Sequence, residues 1–379
     1  MNNITKYDLA IIGGGLAGLS LSILAAKKGY RVILFEKEKY PFHKVCGEYI
    51  SLESWDFMEE LGLPLSEMNL PVLRKLIVSA PNGKTLEHML PLGGFGISRY
   101  KLDSMLALLA KENGVEVKEQ IKIQDVRFEN GVYTIDGSGF SETASVTVAA
   151  FGKRSNIDVT WKRKFTLQKA NKLNNYIGVK YHVQYDSPDD TIALHNFKNG
   201  YCGISRIEEN KYCLCYMTTA ENLRRSDNDI KKMETTILSR NPHLKKIFSE
   251  AEFISPSPTV ISQISFSKKA QIENHILMTG DSAGMITPLC GNGMSMAMHA
   301  SKLAFNAIDR FLEKKISQAE MEKEYEETWM EQFNSRLQTG RIIQRFFGNP
   351  FLSNVLITTL KPFPGIINKI ISQTHGQPF

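Results

Sequence analysis

The chain has 379 residues, 42% of them hydrophobic and 23% charged, with a formal net charge of +6. That length allows two domains or one large domain with insertions, and the composition is that of a globular protein. So modest a charge gives no ground for nucleic-acid binding, and five cysteines without a C-x-x-C pair argue against a disulfide framework or a zinc site.

In chain order, residues 6–12 predict a buried strand, 16–28 a helix stopped by Gly29, and 31–36 a second buried strand. Strand, glycine turn, helix and strand within about thirty residues make a βαβ unit with a parallel sheet. Gly13, Gly15 and Gly18 lie in the turn and match G-x-G-x-x-G. The first permits a tight turn, the second lets the backbone approach a pyrophosphate, and the third lets the helix pack on the strand. The helix start at Leu16 and Ala17 then offers free N–H groups and a positive dipole end to the anion. Glu36, beside Lys37, closes the second strand, where a carboxylate accepts hydrogen bonds from an adenosine ribose. It would repel a 2′-phosphate, which argues against NADP in this site. A purely structural turn is the alternative to a dinucleotide site.

Residues 101–117 predict a helix, then Gly114 and a strand; 145–152 predict another buried strand ending at a glycine. From 165 to 263 the pattern changes to short alternating runs, such as NYIGVKYHV and NKYCLCYM, separated by turn residues. That predicts an antiparallel sheet. The run NHILMTGD at 274–281 returns to the buried-strand pattern, so the chain leaves its first domain and comes back. Residues 301–314 and 318–347 read as helices.

The stretch ILMTGDSAGMITPLCGNGMSMAMHASKLA, from Ile276, is a strand ending at Gly280 and Asp281, a loop with Pro288, Gly291, Asn292 and Gly293, and a helix rich in small residues from Met294. It resembles the second flavin motif of the para-hydroxybenzoate hydroxylase and geranylgeranyl reductase superfamily. The resemblance implies FAD, with Asp281 on its ribityl chain and Gly291 to Met294 against the flavin pyrimidine ring. Backbone N–H groups opening a helix there would stabilise the negative charge of a reduced flavin. EKEKYPFHKVCGEYIS resembles the segment that follows the ribose-binding acid in the reductase-like branch, which places Lys44, Val45, Cys46 and Gly47 near the flavin. ISRYKLDSMLALLAKENGVEV resembles the family's Arg-x-x-x-Asp helix, with Arg99 facing the FAD. The specific motifs cover roughly 1–155 and 270–310.

Three departures shape the expectation. In AFGKRS, Phe151 stands where hydroxylases of the superfamily carry the Asp of Ala-Asp-Gly-x-x-Ser, which leaves the nicotinamide partner open. The aromatic run of the reductases keeps Tyr201 but loses its Trp, Phe and Pro to Gly203, Ser205 and Arg206. The Trp-x-Trp-x-Ile-Pro run of flavin halogenases is absent, which argues against halogenation.

The expected fold class is α/β: a Rossmann-like FAD-binding domain (1–155 plus 270–315) of glutathione-reductase type, with an inserted antiparallel-sheet substrate domain (156–269, with part of 60–100 as a candidate addition) and a helical C-terminal region (316–379). The expected activity is an FAD-dependent monooxygenase that hydroxylates a lipophilic, phenolic or polyketide metabolite with O2 and NAD(P)H. The alternatives are a flavin reductase of polyprenyl C=C bonds and a non-catalytic FAD-binding electron carrier. Flavin chemistry asks little of side chains. Cys46 is a candidate on the substrate side of the flavin or else a small buried filler. Tyr201 and Arg206 are candidates for orienting a phenol or carboxylate, and His43, His195 and His299 for acid–base roles.

Residues 332–379 contain no Asp or Glu but carry Arg336, Arg341, Arg345, Lys361 and Lys369. This tail reads as an ordinary helix pair, as the lining of a lipophilic channel, or as a contact with an anionic membrane surface. Its ten-residue apolar run from Phe351 is too short to span a bilayer. A chain cut near Gly348 is expected to stay soluble and flavin-bound but to lose activity on long-chain substrates. No signal peptide is read at the start, so the expected location is the cytoplasm, with peripheral contact to the inner face of the membrane.

Overall fold

The structure, a computed structural model, describes residues 6–168, 175–287, 291–346 and 349–379. The chain passes repeatedly between two sheets. It opens the first with β1 (Tyr7–Ile12), α1 (Leu16–Lys27) and β2 (Val32–Phe35), strands covered on both faces and therefore apolar without alternation. It crosses to the second with β3 (Tyr49–Ser51), α2 (Trp55–Leu61), β4 (Val72–Ser79) and β5 (Thr85–Gly96). Helix α3 (Arg99–Glu112), capped by the Ser98 hydroxyl on the Lys101 N–H, leads back to β6 (Glu116–Lys118), β7 (Ile123–Glu129), β8 (Val132–Gly137) and β9 (Phe140–Ala149).

After α4 (Asn156–Thr160) the chain returns to the second sheet with β10 (Tyr176–Gln184), β11 (Thr191–Phe197), β12 (Gly200–Arg206) and β13 (Tyr212–Thr219). Helices α5 (Ala220–Arg225), α6 (Ile230–Thr236) and α7 (Pro242–Glu250) follow, then β14 (Glu252–Phe253) and β15 (Thr259–Ile264). Strands β16 (Ile272–Glu273) and β17 (Ile276–Met278) rejoin the first sheet. The chain finishes with α8 (Gly293–Leu312), α9 (Gln318–Phe346), α10 (Pro350–Leu360) and α11 (Pro364–Ser372).

The first sheet has the order β16-β17-β9-β1-β2-β6, with β8 and then β7 added beyond β9. Strands β17, β9, β1, β2 and β6 run parallel. Strand β1 is central, with later strands on either side, so the strand order reverses at its carboxyl end, where open α/β sheets bind ligands. The second sheet has the order β14-β10-β13-β12-β11-β4-β5-β3. One pairing departs from the expected antiparallel pattern: β4 and β11 are parallel, with Thr191 opposite Lys75. The whole return to the first sheet lies between these two strands, so no hairpin fixes their relative direction.

Alternation gives the second sheet two different faces. Ile177, Val179, Tyr181, Leu214 and Tyr216 pack against Met233, Leu244 and Ile247 of α6 and α7. The other face carries Tyr176, Leu194, Tyr201, Met217 and Phe266, and is roofed by Ile357, Ile367 and Ile371 of α10 and α11. In α9, Met321, Tyr325, Trp329, Phe333 and Leu337 are buried at four-residue spacing, the stripe that lays this helix along the first core.

Candidate cofactor and substrate site

The three glycines of the β1–α1 turn are not equivalent. Gly13 has φ 110°, and a Cβ there would lie 2.5 Å from the Ala150 carbonyl oxygen. A Cβ on Gly18 would lie 2.0 Å from the Gly13 carbonyl oxygen. Packing alone demands both. A Cβ on Gly15 would meet nothing closer than Arg99 Nη2 and Lys44 Nζ, each at 3.8 Å. The space beside Gly15 is therefore one the protein does not need for itself. It is flanked by two cations and faces the start of α1, which has no side-chain cap. Such a site suits a pyrophosphate.

A single carboxylate holds both cations. Asp103, buried, accepts from Arg99 Nε at 2.7 Å and Nη2 at 2.8 Å and pairs with Lys44 Nζ at 3.0 Å. Burial pushes the Asp103 carboxyl up, but Arg99 and Lys44 outweigh it and hold the group below its ordinary range. Two positive charges against one negative leave a net cation beside Gly15. Glu36 lies under the turn: its Oε2 accepts from the Gly14 N–H at 2.9 Å and its Oε1 from the Glu38 N–H at 3.0 Å. Its carboxylate thus braces the glycine turn, while further lone pairs remain for ribose hydroxyls. Lys37 is exposed and pairs only loosely with Glu38, so it sits on the rim.

The parallel pairing of β17 with β9 brings the second motif to the same end of the sheet. A Cβ on Gly280 would lie 3.2 Å from Ala17 Cβ, so the motif abuts the start of α1. Asp281 is fenced by buried Lys269 and half-buried Lys153. Lys269 Nζ donates to the Asp281 carbonyl at 2.6 Å and the Lys153 carbonyl at 2.7 Å. Burial drives both lysine ammoniums down to about 8, against the pull of Asp281. Burial also pushes the Asp281 carboxyl up, with Lys269, Lys153 and Arg99 opposing. Gly291 has φ 67°, and a Cβ there would press on the Tyr49 ring at 3.0 Å. Asn292 is buried and donates from Nδ2 to the Thr374 carbonyl at 2.9 Å. Helix α8 starts at Gly293 without a side-chain cap, and Met294 Sδ is 3.5 Å from Cys46 Sγ. Residues 13–18, 44–47, 99, 280–287 and 291–294 therefore converge, while the expected contact at Pro288 lies outside the described residues. The open space by Gly15, its cations and two uncapped helix starts fit an FAD.

Opposite this cradle stands the second sheet. Val45 fills the space over Gly178, where a Cβ would come within 2.9 Å of Val45 Cγ1. The Cys46 carbonyl accepts from Cys213 Sγ at 3.2 Å, and the Gly47 carbonyl from Ser205 Oγ at 3.4 Å. Glu48 makes the strongest join. It is fully buried with φ 55°; its Oε1 accepts from Lys180 Nζ at 2.6 Å and the Arg99 N–H at 2.8 Å, and its Oε2 lies 2.6 Å from His182 Nε2. Burial pushes the Glu48 carboxyl up, yet the His182 hydrogen bond and the Lys180 charge hold it below its usual value. Glu48, His182 and Cys213 present donor atoms within 4.8 Å of one another, but the cation already on this carboxylate is the Lys180 ammonium. Sequence reading missed Glu48, Lys180 and His182. The signal was a Lys and a His two apart, on one face of an otherwise apolar strand.

The remaining candidates separate. Cys46 is half-buried and burial pushes its thiol up, so it is a neutral thiol rather than a nucleophilic thiolate. Tyr201 is buried on the roofed apolar face. Arg206 does not face it: at the end of β12 it binds Asp189 and Asn210 at the margin, because polar partners in the adjoining loops claim its guanidinium. His195 lies in the sheet with Nδ1 2.8 Å from Ser79 Oγ and stacks on His243, and burial drives it down to about 3. His299 stacks on Phe379 at 4.2 Å and burial drives it down to about 4. Both are neutral packing groups. Only His43 adjoins the site, edge-on to His182 at 5.3 Å and stacked on Tyr100 at 4.6 Å.

The chain is 25% identical over 383 residues to conditioned medium factor receptor 1 of Dictyostelium discoideum, covering 90% of this chain and 70% of that one. It is 24% identical over 362 residues to digeranylgeranylglycerophospholipid reductase 2 of Methanopyrus kandleri, covering 90% and 87%. Its fold matches that of a flavin-dependent brominase with a TM-score of 0.76 at 20% identity, covering 98% of this chain and 95% of the other. A family model described as an FAD binding domain matches residues 6–326, so the chain belongs to that family and is an FAD-dependent oxidoreductase.

Proposed function

We propose that the protein hydroxylates a lipophilic, phenol-like substrate, using FAD, O2 and NAD(P)H. One observation carries this reading. The apolar face bearing Tyr176, Leu194, Tyr201, Met217 and Phe266 lies on the same side of the sheet as the Cys46–Gly47 loop and is roofed by α10 and α11. A substrate held there is shielded from water and set against the flavin loop. FAD, when bound, supplies the redox chemistry. Arg99, Lys44 and the start of α1 would hold its pyrophosphate, Glu36 its ribose, and Gly291 to Met294 its pyrimidine edge. The chain's own contribution beyond binding is to exclude water, with Tyr201 on the face that would meet the substrate. Lys180 and His182 are held by Glu48 and serve to fix the loop.

A second reading, saturation of a polyprenyl C=C bond, draws support from the archaeal reductase that aligns along most of the chain. In that reaction the neutral Cys46 thiol would be a proton donor. The test uses reduced protein with an alkylphenol and with a polyprenyl lipid. Substrate-dependent O2 uptake and a product one oxygen heavier support hydroxylation. Anaerobic turnover to a product two hydrogens heavier supports reduction instead, and flavin reduction without any modified product overturns both.

A further inference from the structure

We propose that the outer surface of α10, the following turn and the start of α11 is a docking face for an anionic lipid bilayer. Six consecutive residues, 361–366, are exposed: Lys, Pro, Phe, Pro, Gly and Ile. Phe363 and Ile366 are 55% and 49% exposed. On α10, Phe351 and Val355 are 73% and 43% exposed, four residues apart on one side, while Ile357 turns inward to the sheet. Four large apolar side chains bared within sixteen residues are too concentrated for scattered surface residues.

Charge selects the occupant. Residues 332–379 contain no Asp or Glu, and Lys361 and Lys369 are exposed beside the apolar side chains. Apolar groups rimmed by cations, for which no ion pair is found among the described residues, suit the interface of an anionic membrane. Among the described residues no helix is long and apolar enough to cross a membrane, so the face lies on the bilayer rather than in it. The inner sides of the same helices roof the apolar sheet face, which puts a lipid surface one helix away from the proposed substrate wall. The inference extends the lipophilic-substrate reading, yet it stands on exposure and charge alone.

The test is flotation of the full-length FAD-loaded protein with phosphatidylcholine vesicles, with and without phosphatidylglycerol. Binding is expected only with phosphatidylglycerol and should weaken with salt. Lys361→Gln and Lys369→Gln should each weaken it about fivefold, and Phe363→Ser with Ile366→Ser should lower it at least tenfold. Flavin absorbance and melting temperature should not change, because these side chains face solvent. Wild-type protein that ignores anionic vesicles overturns the proposal. So does binding indifferent to the Phe363 and Ile366 changes, or a dimer that those changes dissolve. Flotation needs no turnover, and activity on detergent-dispersed substrate tests the catalytic reading separately.

Discussion

Glu48→Gln tests the join between the cofactor cradle and the substrate sheet. The carboxylate is fully buried, its main partner Lys180 is 2% exposed, and the two are 2.6 Å apart. Neutralising one member of such a pair leaves the other charge buried without compensation, which costs about 3–5 kcal/mol. Unfolding entropy of about 2.1 cal/mol/K per residue gives roughly 0.8 kcal/mol/K for this chain, so the melting temperature should fall by about 4–6 °C. Lys180→Met should cost less, because the Arg99 N–H and His182 still solvate the carboxylate. The double variant removes both charges and should recover much of the loss, a coupling of about 0.5–3 kcal/mol. The pH dependence has a definite sign. The lowered Glu48 value means that its stabilisation is present above the ordinary 4.5 and is lost as pH falls through the folded value. Burial pulls the Lys180 ammonium down, but Glu48 outweighs it, so the Lys180 part is present below the ordinary 10.5 and is lost as pH rises through a higher one. Thermal unfolding followed by circular dichroism across pH reads both limbs. A Glu48→Gln protein melting within about 1 °C of the parent, or two single losses that merely add, would refute the reasoning.

Gly15→Ala should fold with an unchanged melting temperature yet lose at least tenfold in FAD affinity by fluorescence titration, because its Cβ enters only the space between Arg99 and Lys44. Gly18→Ala should instead destabilise the chain, with its Cβ 2.0 Å from a carbonyl oxygen. Lys269 sits at about 8 in the folded chain against 10.5 ordinarily, so between those values only the unfolded state holds the proton and stability of the FAD-free protein rises with pH. The Lys269 share of that rise should approach about 3 kcal/mol in the unfolding free energy from denaturant titration and be lost in Lys269→Met, which leaves the share of Lys153, also at about 8. Cys46→Ala should leave the turnover number unchanged if the reaction is hydroxylation, whereas a fall of tenfold or more would favour the reductive reading.

Phosphate sites are legible in sequence because they demand missing side chains. The spacing of Gly13, Gly15 and Gly18 after an apolar run marks the turn in the sequence, and the structure separates the two that packing needs from the one that it does not. The second glycine-bearing motif was legible for the same reason. The Glu48 cluster was not. Its partners are 132 and 134 residues away, and a strand flanked by apolar residues on both faces does not say which face meets the cofactor. Arg206 follows from its place at the end of the compared run and His195 and His299 from residue type, and other partners claim all three. Likewise the roof over the apolar face depends on where a long α9 delivers the chain, which no local pattern records.

That roof changes what truncation should do. A chain ending near Gly348 reads from sequence as soluble and flavin-bound. Yet Thr374 accepts from Asn292 in the loop that opens α8, the Gly376 N–H donates to buried Glu53, and Phe379 packs on His299 and Phe57. The C-terminal residues thus hold the segment proposed to face the flavin. Cutting them also strips Ile357, Ile367 and Ile371 from the sheet, a loss of about 4–9 kcal/mol of apolar burial. The expected outcome is therefore a protein that loses flavin along with long-chain activity. The ratio of visible flavin absorbance to protein after gel filtration measures it. A truncated chain that retains FAD one-to-one would show that the α8 loop is positioned without the tail, and that the roof serves the substrate alone.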